Sequence, residues 1–312
     1  MALLYYDDCF LGHDTGRHPE RALRLERVMA HLEKIELTKA CRRMPVEAAP
    51  IENLHAVHTP EYVQHVRLFA EQGGGRIETD TVVSEKSFEA AIRASGAACD
   101  AVSQVMNSVD QSALCLIRPP GHHAVPKSAM GFCLFNNVAV AAQYAIQKFD
   151  LRSVLIVDWD VHHGNGTQDM FYDDGQVGFL SIHRWPFYPG TGKADETGAA
   201  AGLGWTRNIP VEFGTKREEY FSEFKRGLEQ IAEKTKPELV LISAGFDAHR
   251  LDPVGSLGLE TNDFQPLTDH VLEVAQTHAQ GRVVSLLEGG YNTDVLPDCV
   301  EVHLRRLLAA TD

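Results

Sequence analysis

The chain predicts an α/β fold built on a doubly wound, mostly parallel sheet, and three observations carry that expectation. Continuous apolar runs rich in β-branched residues and Leu at 113–117, 154–157, 239–242 and 283–287 read as strands covered on both faces. Segments of helical periodicity alternate with them. Each run is followed by a short polar motif: RPPGHH at 118–123, DWDVHHGNG at 158–166, GFDAH at 245–249 and EGGY at 288–291. The motifs therefore fall at the carboxyl ends of strands, the edge at which an open α/β sheet binds ligands.

In chain order, a strand is expected at 3–6, then helices at 20–35, 60–72 and 88–106. Thr59 before Pro60 offers an N-cap with Pro at the first helical position. Beyond the strand at 113–117 come a helix at 137–148, strands at 154–157 and 177–182, and a further strand near 205–209. Helices at 218–234, 263–278 (with Asn262 as its cap) and 299–308 alternate with the last two strands. The longest irregular stretches are 8–19, 118–132, 183–204 and 247–259, and three of them follow strands. Loops this long in a compact domain are usually functional. The triple glycine at 73–75 reads as a surface turn, and no linker divides the chain, so residues 1–312 are expected to form one domain.

A formal charge of −14 argues against nonspecific nucleic-acid binding, since nothing in the chain resembles the basic stripe that such binding needs. It mildly favours cationic substrates, although acidity also serves solubility. Cys9, Cys41, Cys99, Cys115, Cys133 and Cys299 show no CxxC spacing, so they predict reduced thiols rather than a disulfide framework or a thiolate zinc site. No stretch approaches the roughly 20 apolar residues of a membrane span, and the N-terminus has no secretory pattern. A cytoplasmic location is the expectation.

If the chain stays extended past Val157, Asp158, Asp160 and His162 point to one face, so an Asp and a His two residues apart can grip one cation. Asp247, from another strand end, is a natural third ligand, leaving an open position that suits a catalytic zinc and is open also to iron, cobalt or manganese. Acidic residues are costly at the end of a buried strand unless something cationic compensates them. His122 and His123 follow Pro119-Pro120-Gly121, whose irregular backbone can turn both rings into one cavity. One ring would take a proton from a metal-activated water and another return one to a leaving amine, with Asp158 and Asn165 as candidate orienting partners. Two carboxylate ligands weaken a divalent ion as a Lewis acid, so the Tyr291 hydroxyl is a useful second electrophile for an oxyanion.

These motifs together resemble the zinc-dependent histone deacetylase and acetylpolyamine amidohydrolase superfamily, over about residues 3–308. GFCLFNN at 131–137 and Asn165 look like its class II and bacterial branch. The resemblance implies the arginase/deacetylase three-layer fold, with about eight strands and helices on both faces. It implies zinc held by Asp160, His162 and Asp247, a His122/His123 acid/base pair oriented by Asp158 and Asn165 respectively, and Tyr291 as oxyanion donor. Phe132 and Tyr188 would wall an acyl-lysine channel lined by Gly131 and Gly290, with Tyr188 standing where Phe is more usual. A structural potassium ion would sit on the backbone carbonyls of Asp158, Asp160, His162, Ser181 and Ile182. The implied reaction is removal of acetyl or another short acyl group from lysine in a protein or peptide. Polyamine-selective relatives carry an acidic gatekeeper in the DPxG stretch, where this chain has Val254, so an acetylated polyamine is the second substrate class. A non-catalytic acyl-lysine binder would have no use for the His pair and Tyr291. Too few further carboxylates are present for a two-metal, arginase-like cluster.

Overall fold

A computed structural model describes residues 1–310. Its strands, in chain order, are β1 (Ala2–Tyr5), β2 (Cys41–Met44), β3 (Gly75–Glu78), β4 (Thr81–Val83), β5 (Ser112–Cys115), β6 (Val154–Asp158), β7 (Val177–Arg184), β8 (Thr206–Val211), β9 (Leu239–Ala244) and β10 (Val283–Leu287). Eight form one sheet in the order β2-β1-β5-β10-β9-β6-β7-β8, and β3 and β4 make a separate antiparallel hairpin. Every neighbouring pair in the large sheet is parallel. The four motif-bearing strands are the central neighbours β5, β10, β9 and β6, so their carboxyl ends lie side by side. All residues of these four strands are buried, which is why their sequences are apolar without alternation.

The helices are α1 (Leu23–Lys34), α2 (Ile51–His55), α3 (Pro60–Glu71), α4 (Ser87–Met106), α5 (Asn137–Phe149), α6 (Asn165–Phe171), α7 (Arg217–Thr235), α8 (Phe264–His278) and α9 (Leu296–Ala309). They pack as two sets, α4 with α5 and the run α1, α9, α8, α7, giving a three-layer α/β domain. Small residues let α4 and α5 approach closely: Ala90, Ala94, Ala97, Ala98 and Ala101 on one and Ala139, Ala141, Ala142 and Ala145 on the other are buried. The Thr59 cap is present, accepting the Tyr62 N–H at 3.3 Å.

Several expectations are corrected in detail. Glu20 lies outside α1, because its carboxylate is taken up in a buried ion pair rather than on a helix face. Asn262 does not cap α8; Glu260 and Asp263 form a reciprocal capping box one turn earlier, with Asp263 accepting the Glu260 N–H at 2.7 Å. α9 begins at Leu296, since Pro297 is tolerated in a first turn. Edge strand β2 (CRRM), the hairpin and the short α2 and α6 lack any extended apolar period, so pattern alone passes over them.

Two buried histidines are locked as neutral rings. His303 Nδ1–H donates to Thr268 (2.7 Å), whose hydroxyl is committed to the Phe264 carbonyl, and Nε2 accepts from Ser285 (2.8 Å). His58 donates to the Val125 carbonyl (3.2 Å) and accepts the Asn136 N–H (2.9 Å). Burial lowers His303 to about 3 and His58 to about 4. The unfolded chain, with ordinary imidazoles near 6.5, therefore takes up these protons first. Their stabilising contribution is complete above about pH 6.5 and is lost as pH falls toward the folded values, at about 1.4 kcal/mol per pH unit for each ring. H303Q should remove one ring's share of that slope. Denaturant unfolding of wild type and variant at several pH values between 6.5 and 4.5 reads it as the difference between the two curves, and parallel curves would exclude the effect.

Candidate metal centre and active site

The DWDVHHGNG motif does not stay extended. β6 ends at Asp158, and the chain then bends twice. Asp158 Oδ1 accepts the Asp160 N–H (3.0 Å), and Asp160 Oδ1 accepts the His162 N–H (2.9 Å), so each Asp turns the backbone two residues ahead of itself. This geometry, not strand parity, separates Asp158 from the cluster that Asp160, His162 and Asp247 form. Their donor atoms lie within 4.8 Å of one another and all three residues are buried. His162 Nδ1 is 3.0 Å from Asp160 Oδ1 and 3.1 Å from Asp247 Oδ2.

The donor set fits a divalent cation. Backbone N–H groups hold the carboxylates in place: Gly289 donates to Asp160 Oδ2 (2.8 Å) and Val161 to Asp247 Oδ1 (2.9 Å). A Cβ at Gly289 would fall 2.2 Å from Asp247 Oδ2 and 2.5 Å from Asp160 Oδ2, so only glycine leaves the carboxylates free. Burial pushes the His162 imidazole down, but its hydrogen bonds to Asp160 and Asp247 outweigh this and raise it to about 10. Burial and the neighbouring Asp160 lift Asp247 to about 7. A divalent cation held between these groups would compensate both carboxylates, with the imidazole as a neutral donor.

The two neighbouring histidines have partners of different charge. His122 Nδ1–H donates to Asp158 Oδ2 at 2.9 Å and His123 Nδ1–H to Asn165 Oδ1 at 2.7 Å, the pairing expected from the sequence. Burial depresses both rings. At His122 the Asp158 and Asp160 carboxylates more than offset it, raising the ring to about 10. His123 has only a neutral amide partner and feels the positive charge of His122 and His162, so it stays well below its ordinary value. The ring centres are 4.0 Å apart.

A cavity of about 210 Å³ opens over these groups, lined by Asp80, His123, Gly131, Phe132, His162, Phe187, Tyr188, Val254 and Tyr291. Four of the five expected lining residues are there. Gly290 is not; its carbonyl accepts from Arg24 Nε at 2.6 Å. Phe187 stacks on the His162 ring (5.2 Å, 17°) and Tyr188 meets His123 edge-on (5.2 Å). Burial and the nearby Asp80 carboxylate push the Tyr188 phenol up. Burial and the Asp247 and Asp160 charges keep the Tyr291 phenol protonated far above its usual range. Of the backbone named for potassium, Asp158 on β6 pairs with Ser181 on β7, and both are buried.

Sequence reasoning passed over the groups that support this site. The Glu288 carboxylate accepts the Gly121 and His122 N–H groups (2.7 and 3.2 Å), tying EGGY to PGHH. Asp252 accepts from Tyr291 N at 2.7 Å on one oxygen and from Val254 and Gly255 N at 2.9 Å on the other. Arg24 donates to the Glu288 carbonyl at 2.5 Å and sits 5.0 Å over the Tyr291 ring. Glu20 holds both Arg24 and Arg118; burial opposes its charge, but Arg118 keeps the carboxyl well below its usual range. The hairpin tip supplies Asp80 and Thr81, which accept the Gly131 and Phe132 N–H groups, each at 3.1 Å.

Fold and site together define a metal-dependent amidohydrolase of arginase/deacetylase architecture, acting on acyl-amide bonds. Residues 18–307 match the Histone deacetylase domain family, and the chain belongs to it as an enzyme. It is 36% identical over 294 residues to a probable deacetylase of Archaeoglobus fulgidus, spanning 94% of this chain and 81% of the relative. It is 38% identical over 324 residues to the polyamine deacetylase HDAC10 of Homo sapiens, spanning 98% of this chain and 48% of that protein. The crystal structure of the HDA15 HD domain superposes with a TM-score of 0.92 at 34% identity, covering 99% of this chain and 88% of that one. Among the described residues no helix is long and apolar enough to cross a membrane.

The cluster predicts one tightly held divalent ion per chain. D160N and D247N should each weaken it by more than the roughly 10–100-fold that loss of a supporting partner costs. Metal analysis after dialysis against a graded chelator series measures this, and full retention of the ion by either variant would exclude that residue as a ligand.

Proposed function

We propose that this enzyme is a zinc-dependent lysine deacylase, removing acetyl or other short acyl groups from the ε-amine of lysine in proteins or peptides. The observation that carries this reading is one cavity whose aromatic walls, Phe132, Phe187 and Tyr188, lead to His123, His162 and Tyr291. An unbranched alkyl chain fits such walls, and the amide at its end would meet all three groups. Asp160, His162 and Asp247 would hold the zinc ion, which supplies Lewis acidity to the acyl carbonyl and makes water easier to ionise.

His123 is the ring that faces the cavity; its Nδ1–H is committed to Asn165, which leaves Nε2 as the acceptor for the proton of the attacking water. The same ring then returns that proton to the departing lysine amine. His122, paired with Asp158 and not among the lining residues, keeps its own proton and places positive charge behind the reacting centre. Tyr291 stays protonated and donates its hydroxyl to the oxyanion, steered by Asp252 on its backbone and Arg24 over its ring. A potassium ion on the carbonyls of Asp158, Asp160, His162, Ser181 and Ile182 would stiffen the turn that carries two of the zinc ligands.

An acetylated polyamine is the second reading. Val254 lines the cavity as an apolar residue, which favours acyl-lysine, whereas the Asp80 carboxylate, which also lines it, suits a substrate with a second ammonium group. Side-by-side kcat/KM values for an acetyl-lysine peptide and acetylputrescine decide between them.

Chelation should abolish turnover and added zinc or cobalt restore it; undiminished activity in metal-free protein would overturn the mechanism. H123A should lower kcat about 10²–10⁴-fold, and Y291F about 10²–10³-fold, each with the zinc content unchanged. A Y291F enzyme with wild-type kcat would remove the hydroxyl from the mechanism.

A further inference from the structure

Arg184, the last residue of β7, does not line the cavity itself, yet its guanidinium touches three loops, those carrying Phe187, Phe213 and Gly255. Its guanidinium carbon lies 4.2 Å from the ring centre of Phe187 and 4.6 Å from that of Phe213, so the planar cation contacts both rings. Nη1 donates to the Gly255 and Ser256 carbonyls (3.2 and 3.4 Å), immediately after Val254. Its backbone N–H donates to the Val161 carbonyl (2.8 Å), between the expected ligands Asp160 and His162. Phe187 and Val254 both line the cavity, and Phe187 also stacks on His162. Phe213 is 65% exposed, so its ring contact with Arg184 has little burial behind it.

We propose that Arg184 is a positioning residue that sets the separation of the Phe187 and Val254 walls, and so the girth of the amide-bearing chain the cavity accepts, with Phe213 as its exposed ring contact. This rests on the deacylase reading above. The walls arise from loops after β7 and β9, which share no backbone pairing, and the guanidinium links them, lying over the Phe187 ring and donating Nη1 to the Gly255 and Ser256 carbonyls. Lysine would keep the charge but lose the plane and the fork of donors.

Kinetics on an acetyl-lysine peptide test this. R184A should raise KM about tenfold with kcat within about threefold of wild type, and F213A, at an exposed position that leaves folding intact, should raise KM about threefold. R184K should recover less than half of the lost affinity. The R184A/F213A double variant should show no more than the R184A effect, because both substitutions break the same cation–ring contact. Wild-type KM in R184A, a fall in kcat without a change in KM, full rescue by Lys, or additive effects in the double variant would each overturn the proposal. Equilibrium binding of N-pentylacetamide to the zinc-loaded proteins separates this from the reaction itself. If wild type hydrolysed no acyl amide, the deacylase reading would fail, while equal binding by wild type and R184A would overturn the positioning role on its own.

Discussion

Three buried carboxylates, Asp158, Asp160 and Asp247, converge where β6 and β9 end, and the surrounding structure is arranged to hold that charge away from water. Burying an ionised carboxylate is expensive unless it is paired and hydrogen-bonded. Each of these accepts a backbone N–H: Asp158 from Asp160, Asp160 from His162 and Gly289, and Asp247 from Val161. The same bonds shape the loops, so charge compensation and loop conformation are one constraint. The glycine at 289 follows from it, because a side chain there would occupy the space of two carboxylate oxygens.

Behind this layer lies a second one with a different charge balance. Glu20, Arg24, Arg118 and His13 are all buried, with two guanidinium groups sharing one carboxylate. Arg118 spends its remaining donors on the Phe10 and His13 carbonyls (2.8 and 3.1 Å), and Arg24 on Glu288 and Gly290. The N-terminal loop is thereby fastened to both the RPPGHH and EGGY motifs. Surplus positive charge here faces surplus negative charge at the metal cluster, with Tyr291 between Arg24 and the aspartates.

What could be read from the chain follows the range of the forces involved. Central strands were legible because burial on both faces forces continuous apolar runs, and the candidate ligands because Asp, His and Asp at strand ends have few uncostly structural roles. The lateral order β5-β10-β9-β6 was not legible, since any order satisfies the same apolar pattern. Extension past Val157 was the wrong local geometry, because Asp158 and Asp160 bond the backbone two residues on and bend it. Glu288, Asp252, Arg24 and Asp80 escaped notice for a common reason. They act on backbone groups distant in sequence, and a backbone amide or carbonyl has no residue type to recognise.

The wall residue Phe132 shows which way stability was traded. Its φ is +70°, a region that a bulky side chain enters at a cost of about 1–3 kcal/mol. Gly131 before it also has positive φ, and a Cβ there would lie 2.3 Å from His123 Cδ2. An ordinary turn would relieve Phe132, but it would withdraw the ring from the cavity and from its edge-on contact with Tyr291 at 5.6 Å. Asp80 and Thr81 hold the strained turn by accepting its two N–H groups. The small β3–β4 hairpin, separate from the eight-stranded sheet and without an extended apolar pattern of its own, is therefore as much a part of the cavity as the aromatic ring it secures. The strand ends carry the cluster that fits a cation, and a strained turn shapes the cavity over it.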